Sequence, residues 1–203
     1  DVLVHRQAGG GWGVELNPDT LPRVLVNNRD YTTIARKAAN KKEKEYIDEC
    51  FQSANWLVKA MDQRAQTILK VAAEIIEQQD AFFNYGIEYL QPLTLKDIAE
   101  KIDMHESTVS RVTTNKYIGT PRGLFELKFF FSTALVSKDG TSHSSESIKA
   151  RIKTLTDEED PKKVLSDDKI VDILKEEGID IARRTVAKYR ESMHIGSSVQ
   201  RRK

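Results

Sequence analysis

A stretch from about Lys41 to Tyr89 limits the possible folds of this chain more than any other feature, because it contains neither glycine nor proline before Gly86. Its apolar residues recur at intervals of three and four, the period of one face of an α-helix. We therefore predict a bundle of helices with charged outer faces. The residues expected in the buried face are Tyr46, Cys50, Phe51, Leu57, Val58, Met61, Ile68, Leu69, Ala72 and Ile76.

Residues 1–30 show a pattern of strands, turns or irregular structure instead. The short runs DVLV and GVEL alternate apolar and polar residues and are joined by GGGW. RVLV, at residues 23–26, follows as a further apolar run before a predicted Asn-Asn turn. The GGGWG segment lacks the Gly-Lys-Ser/Thr ending of a phosphate-binding loop, so we predict a hairpin turn there.

Composition excludes several kinds of site. The chain has 203 residues, of which 39% are hydrophobic and 31% charged, as in a globular protein with one large or two small domains. Cys50 is the sole cysteine and the four histidines lie far apart in sequence, so we expect no disulfide, metal or cofactor. No apolar stretch is long enough to span a bilayer, and there is no signal peptide or initiator Met. We expect a fragment of a longer cytosolic protein that does not contact a membrane.

A helix-turn-helix is predicted for residues 91–136. Thr94 is placed to cap a short helix, with Asp97 at the reciprocal position three residues later. A compact turn at residues 103–105 precedes a second helix, expected from about Glu106 to Thr114. The residues expected to face inward are Leu95, Ile98, Ala99, Ile102, Val109 and Val112. The small Ala99 allows the close helix crossing that the motif requires. A plain helical hairpin is the alternative.

The second of these helices has a polar outer face. Short hydroxyl side chains and an arginine on such a face can reach base edges and phosphates of DNA. The candidate DNA-binding residues of this central motif are Ser107, Thr108, Ser110, Arg111, Lys116 and Arg122.

A second pair of helices is predicted after a linker at residues 137–147, which is rich in serine, glycine and charge. A helix covers about 145–156. Ser166 is placed to cap the next helix, and Gly178 is placed to end it in a left-handed conformation. ARRTVAKYRE, residues 182–191, then forms the second helix of the pair.

This last helix has an apolar stripe and a basic remainder. Ala182, Val186, Tyr189 and Met193 share one face, and most cations project elsewhere. The net charge of the whole chain is only +1, yet residues 182–203 contain seven cations and one acidic residue, Glu191. The candidate DNA-binding residues are Arg183, Arg184, Thr185, Lys188, Tyr189 and Arg190. A solvated basic face is the alternative. The tail GSSVQRRK is expected to be disordered and to add unspecific attraction to phosphate.

Two different helix-turn-helix units in one chain imply an asymmetric, directional DNA site, as a promoter requires. At this point the sequence resembles a known family. ARRTVAKYRE matches the signature box of the sigma-54 (RpoN) family of bacterial alternative sigma factors. The stretch LTLKDIAEKIDMHESTVSRVTTNKYIGTPRGLFELKFFFS looks like its central motif, and LNPDTLPRVLVNNRDY resembles its region that binds core polymerase.

The resemblance implies a mainly α fold. It comprises a helical core-binding bundle with a small N-terminal β element, a central helix-turn-helix, and a separate C-terminal helix-turn-helix domain on a flexible linker. The expected regions are 1–90 for binding core RNA polymerase, 91–136 for the central motif, 137–147 for the linker and 148–203 for the RpoN box domain. The expected protein is a transcription initiation factor and not an enzyme.

The resemblance also implies roles for individual residues on promoter DNA. Arg183 and Arg184 would contact guanine or adjacent phosphate in an upstream GG element of the minus-twenty-four type. Lys188 and Arg190 would hold the DNA backbone, and Tyr189 would be core with a phosphate contact. The central motif would face a downstream GC element of the minus-twelve type, with Arg111 near the junction with melted DNA.

An ATP-driven AAA+ enhancer-binding activator is the remaining partner that the resemblance implies. The family's Gln-rich and Leu-rich segment, which receives this activator, and the acidic segment after it do not occur in the sequence. We therefore expect the chain to bind polymerase and promoter without supporting activator-dependent opening.

Two other classes of protein remain as alternatives. STVSRV also resembles repressors of the lactose type, which would bind DNA without polymerase. An enzyme acting on DNA would need clustered carboxylates for metal, or a nucleophile beside arginines. DEED, at residues 157–160, is the only dense acidic cluster and is expected to be a solvated turn.

Overall fold

Helices make up most of the structure, which confirms the predicted mainly α class. The structure, a computed structural model, describes residues 1–20, 24–38, 40–132, 134–136, 142–160 and 163–202. The helices are α1 Asn28–Lys37, α2 Lys41–Gln78, α3 Asp80–Tyr85, α4 Leu95–Lys101, α5 Glu106–Thr113, α6 Ser145–Asp157, α7 Asp167–Glu176, α8 Arg183–Ser192 and α9 Ser198–Arg201. The strands are β1 Val2–Arg6, β2 Trp12–Leu16, β3 Tyr117–Thr120, β4 Gly123–Glu126, β5 Ala134–Val136 and β6 Ser142–Ser144. Short 3-10 turns cover Ile87–Tyr89 and Leu127–Phe130.

The first four strands form one sheet in the order β2-β1-β3-β4. β1 and β2 form the predicted antiparallel hairpin, whose turn contains Gly10 and Gly11 with positive φ values of 85° and 83°. The central pairing is parallel and brings Val2 opposite Ile118. The sheet therefore joins the beginning of the chain to the segment that follows α5. The β3–β4 hairpin was not predicted from the sequence.

One prediction for the segment between β2 and α2 was wrong. Residues 24–26 of the apolar run are irregular, which the pattern of residues 1–30 also allowed, and residues 21–23 lie outside the described residues. The predicted Asn-Asn turn is instead the beginning of a helix, because the side chain of Asn27 accepts hydrogen bonds from the backbone N–H groups of Arg29 and Asp30 and caps α1.

Helix α2 spans 38 residues and is buried only in its C-terminal part. Its buried residues run from Thr67 to Ile76, whereas Tyr46 and Trp56 are 68% and 71% exposed. The prediction that the apolar face is core along its whole length was therefore wrong for the N-terminal half. There α2 contacts α1, where the rings of Tyr31 and Phe51 stack with their centroids 3.9 Å apart.

One hydrophobic core unites the expected core-binding region and the expected central motif. Val2 from β1, Ile68 from α2, Ile98 from α4, Val109 from α5 and Ile118 from β3 are all fully buried in it. Phenylalanines from α3, β4 and the Leu127–Phe130 turn pack against each other at its centre. Because the sheet and α2 share this core with α4 and α5, the two expected regions fold together.

A second core lies in the C-terminal part. Ile148 and Ile152 of α6 pack there with Ile170 and Leu174 of α7 and with Val186 of α8. Of the predicted flexible linker, residues 137–141 lie outside the described residues. Residues 142–144 are a correction to the prediction, since they form β6, whereas residues 145–147 form the first turn of α6 and confirm the helix predicted from about residue 145. In the part of the chain that the structure describes, no helix is long and apolar enough to cross a membrane.

Candidate nucleic-acid interface

Helices α4 and α5 form the predicted central pair. The Thr94 hydroxyl accepts from the Asp97 backbone N–H at 3.2 Å, and the Asp97 carboxylate accepts from the Thr94 N–H at 2.8 Å and hydroxyl at 2.6 Å. These hydrogen bonds hold the pKa of Asp97 below its ordinary value. The hydrogen bond from the Thr94 hydroxyl has the larger effect, and that from the Thr94 backbone N–H adds to it. The turn passes through Asp103 in a left-handed conformation, and the Met104 N–H donates to the Ala99 carbonyl at 2.9 Å. α5 is thereby fixed across α4.

The outer face of α5 is polar, as predicted. Arg111 is exposed and has no described ion-pair or side-chain hydrogen-bond partner, so its guanidinium is available to a ligand. Thr108 and Ser110 are half-buried. Ser107 is also half-buried, and its hydroxyl lies 2.8 Å from Nδ1 of His105, the side chain that caps α5.

Lys116 and Arg122 were predicted to contact DNA, but both side chains are engaged within the protein. The Lys116 ammonium lies 3.8 Å from the Asp1 carboxylate, and its side chain is only 19% exposed. The Arg122 guanidinium donates to the carbonyls of Phe83 and Asn84 at the end of α3, at 2.9 and 2.5 Å. These contacts hold the sheet and the β3–β4 hairpin in place, although Arg122 remains exposed to solvent.

Helices α7 and α8 form the second predicted pair. Ser166 caps α7 by accepting from the Lys169 N–H, and Gly178 follows α7 with a φ of 85°, both as the sequence predicts. The Ile179 N–H then donates to the Leu174 carbonyl at 2.8 Å, which closes the turn. Ile181 is buried before α8 begins at Arg183.

The exposed face of α8 is basic. Arg184 and Lys188 lie one turn apart, are exposed and have no described partner. Arg183 is also exposed, and its guanidinium lies 3.4 Å from the Asp168 carboxylate in an ion pair open to solvent. Thr185 is half-buried. Arg184 and Lys188 thus share one exposed surface of α8, and Arg183 lies to the side of it, next to Asp168.

Tyr189 belongs to the inner side of α8. It packs against the second core, and the Lys149 ammonium lies 5.5 Å from the centre of its ring. Burial raises the pKa of the phenol, Glu146 adds to the increase, and Lys149 opposes it. Tyr189 is therefore a packing residue, as predicted.

Arg190 was predicted to hold the DNA backbone, and the structure places it inside the protein, only 5% exposed. Its Nε and Nη2 donate to the two carboxylate oxygens of Asp167 at 2.9 and 3.3 Å, and Nη1 donates to the Ile195 carbonyl at 2.7 Å. Its role as a phosphate contact is corrected, because the groups that would bind phosphate are already paired.

The prediction that the C-terminal tail is disordered was wrong. Residues Ser198–Arg201 form α9, which Ser197 and Gln200 begin with a capping box. The Arg201 guanidinium donates to Glu159 at 2.8 and 3.1 Å and to the carbonyls of Gly196 and Leu165. Arg201 therefore holds α9 against the segment after α6 and is not free to attract phosphate.

The acidic run at residues 157–160 was expected to be a solvated turn, and Glu159 departs from that prediction. Its side chain is 8% exposed and accepts from Arg201 and from the Leu165 N–H. Burial raises the pKa of Glu159, but these hydrogen bonds and the charge of Arg201 outweigh burial and lower the pKa overall. Among the described residues, no group of three histidine, cysteine or acidic residues is placed to hold a metal ion.

Two helix pairs, each with a polar or basic second helix facing solvent, have the arrangement that helix-turn-helix DNA-binding proteins use. Residues 44–203 match the family model described as "Sigma-54, DNA binding domain". The chain belongs to the sigma-54 family. Membership of this family argues against the alternative that the chain is a repressor.

Similar proteins cover the whole chain. It is 59% identical to the RNA polymerase sigma-54 factor of Sinorhizobium fredii and 58% identical to that of Caulobacter vibrioides. All of this chain is matched in both, and it spans only 40% and 41% of their lengths. A crystal structure of Aquifex aeolicus sigmaN bound to promoter DNA is similar with a TM-score of 0.62 and 34% identity, over 100% of this chain and 59% of that one.

Proposed function

We propose that the chain is the promoter-binding part of a sigma-54 transcription initiation factor. In this proposal α8 reads an upstream GG element and α5 faces a downstream GC element. The factor directs core RNA polymerase to such promoters, and an ATP-driven enhancer-binding activator triggers melting.

The exposure of Arg184 and Lys188 on α8 carries the proposal. An arginine on an exposed helix can form a bidentate contact with O6 and N7 of guanine in the major groove, whereas lysine supplies a point charge to guanine or phosphate. Both side chains are free of partners among the described residues, and the opposite side of α8 is buried through Val186. One side of α8 is therefore packed against the protein, and the other side is exposed and accessible to DNA.

The difference between the two helix pairs supports a promoter rather than a palindromic operator. α8 presents exposed cations, whereas α5 presents hydroxyl groups and Arg111. Two unlike readers in one chain require an asymmetric site, and an asymmetric site gives transcription a direction.

The exposed half of α2 supports docking of a large partner, which we propose to be core polymerase. Trp56 and Leu57 are 71% and 47% exposed, and Tyr46 adds a further exposed ring. Aromatic side chains are enriched in protein interfaces, where they contribute much of the binding energy.

Fluorescence anisotropy on three duplexes tests the DNA-binding part of the proposal. One duplex carries both elements, one is changed only at GG, and one only at GC. Changing GG should weaken binding by about 1–3 kcal/mol for each base that α8 no longer recognises. Arg184→Ala should remove this difference, whereas Lys153→Ala, which deletes an exposed cation on α6, should preserve it. Equal binding of the wild-type chain to all three duplexes, with a dependence on salt alone, would make α8 a phosphate clamp and sink the proposal.

A further inference from the structure

We propose that Arg190 is a positioning residue of α8, which sets the orientation of the DNA-reading face through Asp167 and the turn after the helix. The inference rests on the proposed function, because it concerns how the same helix discriminates the GG element.

Helix α8 has a weak beginning. Its N-cap residue is Ala182, whose methyl side chain cannot accept a hydrogen bond from the first N–H groups as a serine or aspartate would. Its first turn contains Arg183 and Arg184 and no acidic residue, although the positive end of the helix dipole favours acidic residues there. Apart from the exposed ion pair between Arg183 and Asp168, the contacts that orient α8 therefore lie further along the helix. Its buried residues in the described structure are Val186 and Arg190.

Arg190 joins the end of α8 to the beginning of α7. Its planar guanidinium binds both oxygens of Asp167, the first residue of α7, in the bidentate geometry that lysine cannot reproduce. The Asp167 carboxylate lies at the N-terminal end of α7, where the helix dipole favours a negative charge. A hydrophobic side chain such as Val186 resists separation of the helices, but this directional contact also resists their rotation.

Arg190 also holds the turn that follows α8. The backbone N–H groups of Met193 and Ile195 both donate to its carbonyl at 3.1 Å, while its Nη1 donates to the Ile195 carbonyl. His194, between them, has a φ of 59° in the left-handed region. One residue thus fixes the last turn of α8, the chain reversal after it and the first turn of α7.

The consequence for DNA reading is geometric. Arg184 and Lys188 lie on the same helix as Arg190, so a rotation of α8 moves both side chains relative to the bases. Contacts to phosphate tolerate such a shift because they are long-range and unspecific, whereas a bidentate contact to guanine does not. Loss of the two hydrogen bonds from Arg190 to Asp167 should therefore reduce discrimination of the GG element more than it reduces the overall affinity for DNA.

Arg190→Lys is the decisive variant, measured in the full chain on the GG duplex and on the duplex changed at GG. Lysine keeps the charge, so a phosphate contact would survive and leave discrimination intact. Positioning predicts that discrimination falls about tenfold, a large part of what a bidentate base contact supplies, with an unchanged slope of log affinity against log salt. Discrimination retained in Arg190→Lys overturns the inference, whether or not the melting temperature falls. Binding is measured well below the melting temperature, so that the folded fraction is the same as in the wild-type chain.

Asp167→Asn provides a second measurement, for which a positioning role and a DNA-contacting role of Arg190 predict opposite results. It leaves Arg190 charged and releases it from its partner, so a DNA-contacting Arg190 would bind phosphate at least as well as before. Positioning predicts the same loss of discrimination as in Arg190→Lys. Unchanged or tighter binding with full discrimination contradicts it. If the wild-type chain itself does not discriminate GG, the proposed function fails; if the wild-type chain discriminates and both variants match it, only the role of Arg190 fails.

Discussion

Arg201 carries the same charge as its neighbour Arg202, yet the two side chains have different surroundings. Arg201 donates to Glu159 and to two backbone carbonyls, whereas Arg202 is exposed without a described partner. Removing one member of a fully buried ion pair leaves the other charge without compensation, which costs about 3–5 kcal/mol. The side chains of Arg201 and Glu159 are 13% and 8% exposed, so Arg201→Ala should destabilise the C-terminal part by somewhat less, on the order of 2–3 kcal/mol.

Arg202→Ala is the matched control, and it should change the free energy of unfolding by less than about 0.5 kcal/mol, as at most surface positions. Thermal or urea unfolding of the two variants measures the difference. Equal, small effects of both substitutions would contradict the assignment of Arg201 to the fold.

The same ion pair predicts a dependence of stability on pH. Glu159 has a folded pKa below its ordinary value of 4.5. A lowered folded pKa contributes stability that is fully present above the unfolded pKa and is lost as the pH falls through the folded pKa. Glu159→Gln should thus destabilise the chain at about pH 7 much more than at about pH 3, where the carboxyl of the unfolded chain is already protonated and the stabilisation is being lost. Unfolding curves of both proteins at the two pH values measure this, and a constant difference between them would contradict it.

At the scale of the secondary-structure element, Gly178 sets the turn between α7 and α8. A side chain at its φ of 85° is strained, even though no heavy atom lies within 4 Å of the position that a Cβ would take. Gly178→Ala should cost about 1–2 kcal/mol of stability for that reason. Gly9→Ala is the control, since Gly9 also has open space but no positive φ. Thermal unfolding compares them, and equal effects would show that the left-handed conformation is not required.

Local chemistry made several elements predictable from the sequence. Thr94, Ser166 and Gly178 act within three or four residues of themselves, so the beginning of α4 and both ends of α7 follow from short patterns. The β3–β4 hairpin did not follow, because β3 pairs with β1 and this pairing joins Ile118 to Val2. Nothing in either strand alone specifies a partner so distant in the chain.

The candidate interface was predictable to the same extent. The exposed positions of Arg184 and Lys188 follow from the helical period, which places them opposite Val186. The burial of Arg190 and Arg201 did not follow, because their carboxylate partners lie 23 and 42 residues earlier in the chain. A cation near a basic stripe has the same sequence signature whether it faces DNA or a distant carboxylate.

At the scale of the whole molecule, the apolar period of α2 correctly predicted a helix, but it did not predict that only the C-terminal half of its apolar face is buried. Periodicity shows that one face is apolar, but it does not show which surface covers that face. Ile68 and Ala72 are covered by the first core, whereas Trp56 and Leu57 on the same helix are exposed. The exposed half is the part that we propose to dock on polymerase.

The two hydrophobic cores have no residue in common, and this separation predicts how the chain unfolds. The 3-10 turn Ile87–Tyr89 contacts α6, where the Thr154 hydroxyl donates to the Glu88 carboxylate at 3.2 Å. An exposed hydrogen bond of this kind contributes on the order of 1 kcal/mol, much less than the burial of either core. We therefore expect two transitions in calorimetry.

Ile98→Ala and Ile152→Ala form a matched pair that assigns these transitions. Both isoleucines are fully buried in helices, the first in α4 and the second in α6. Each substitution removes the same atoms and should cost about 2–5 kcal/mol. Ile98→Ala should lower only the transition of the first core and Ile152→Ala only that of the second. If both substitutions shift a single transition by similar amounts, the two cores unfold as one cooperative unit and the prediction of two transitions is wrong.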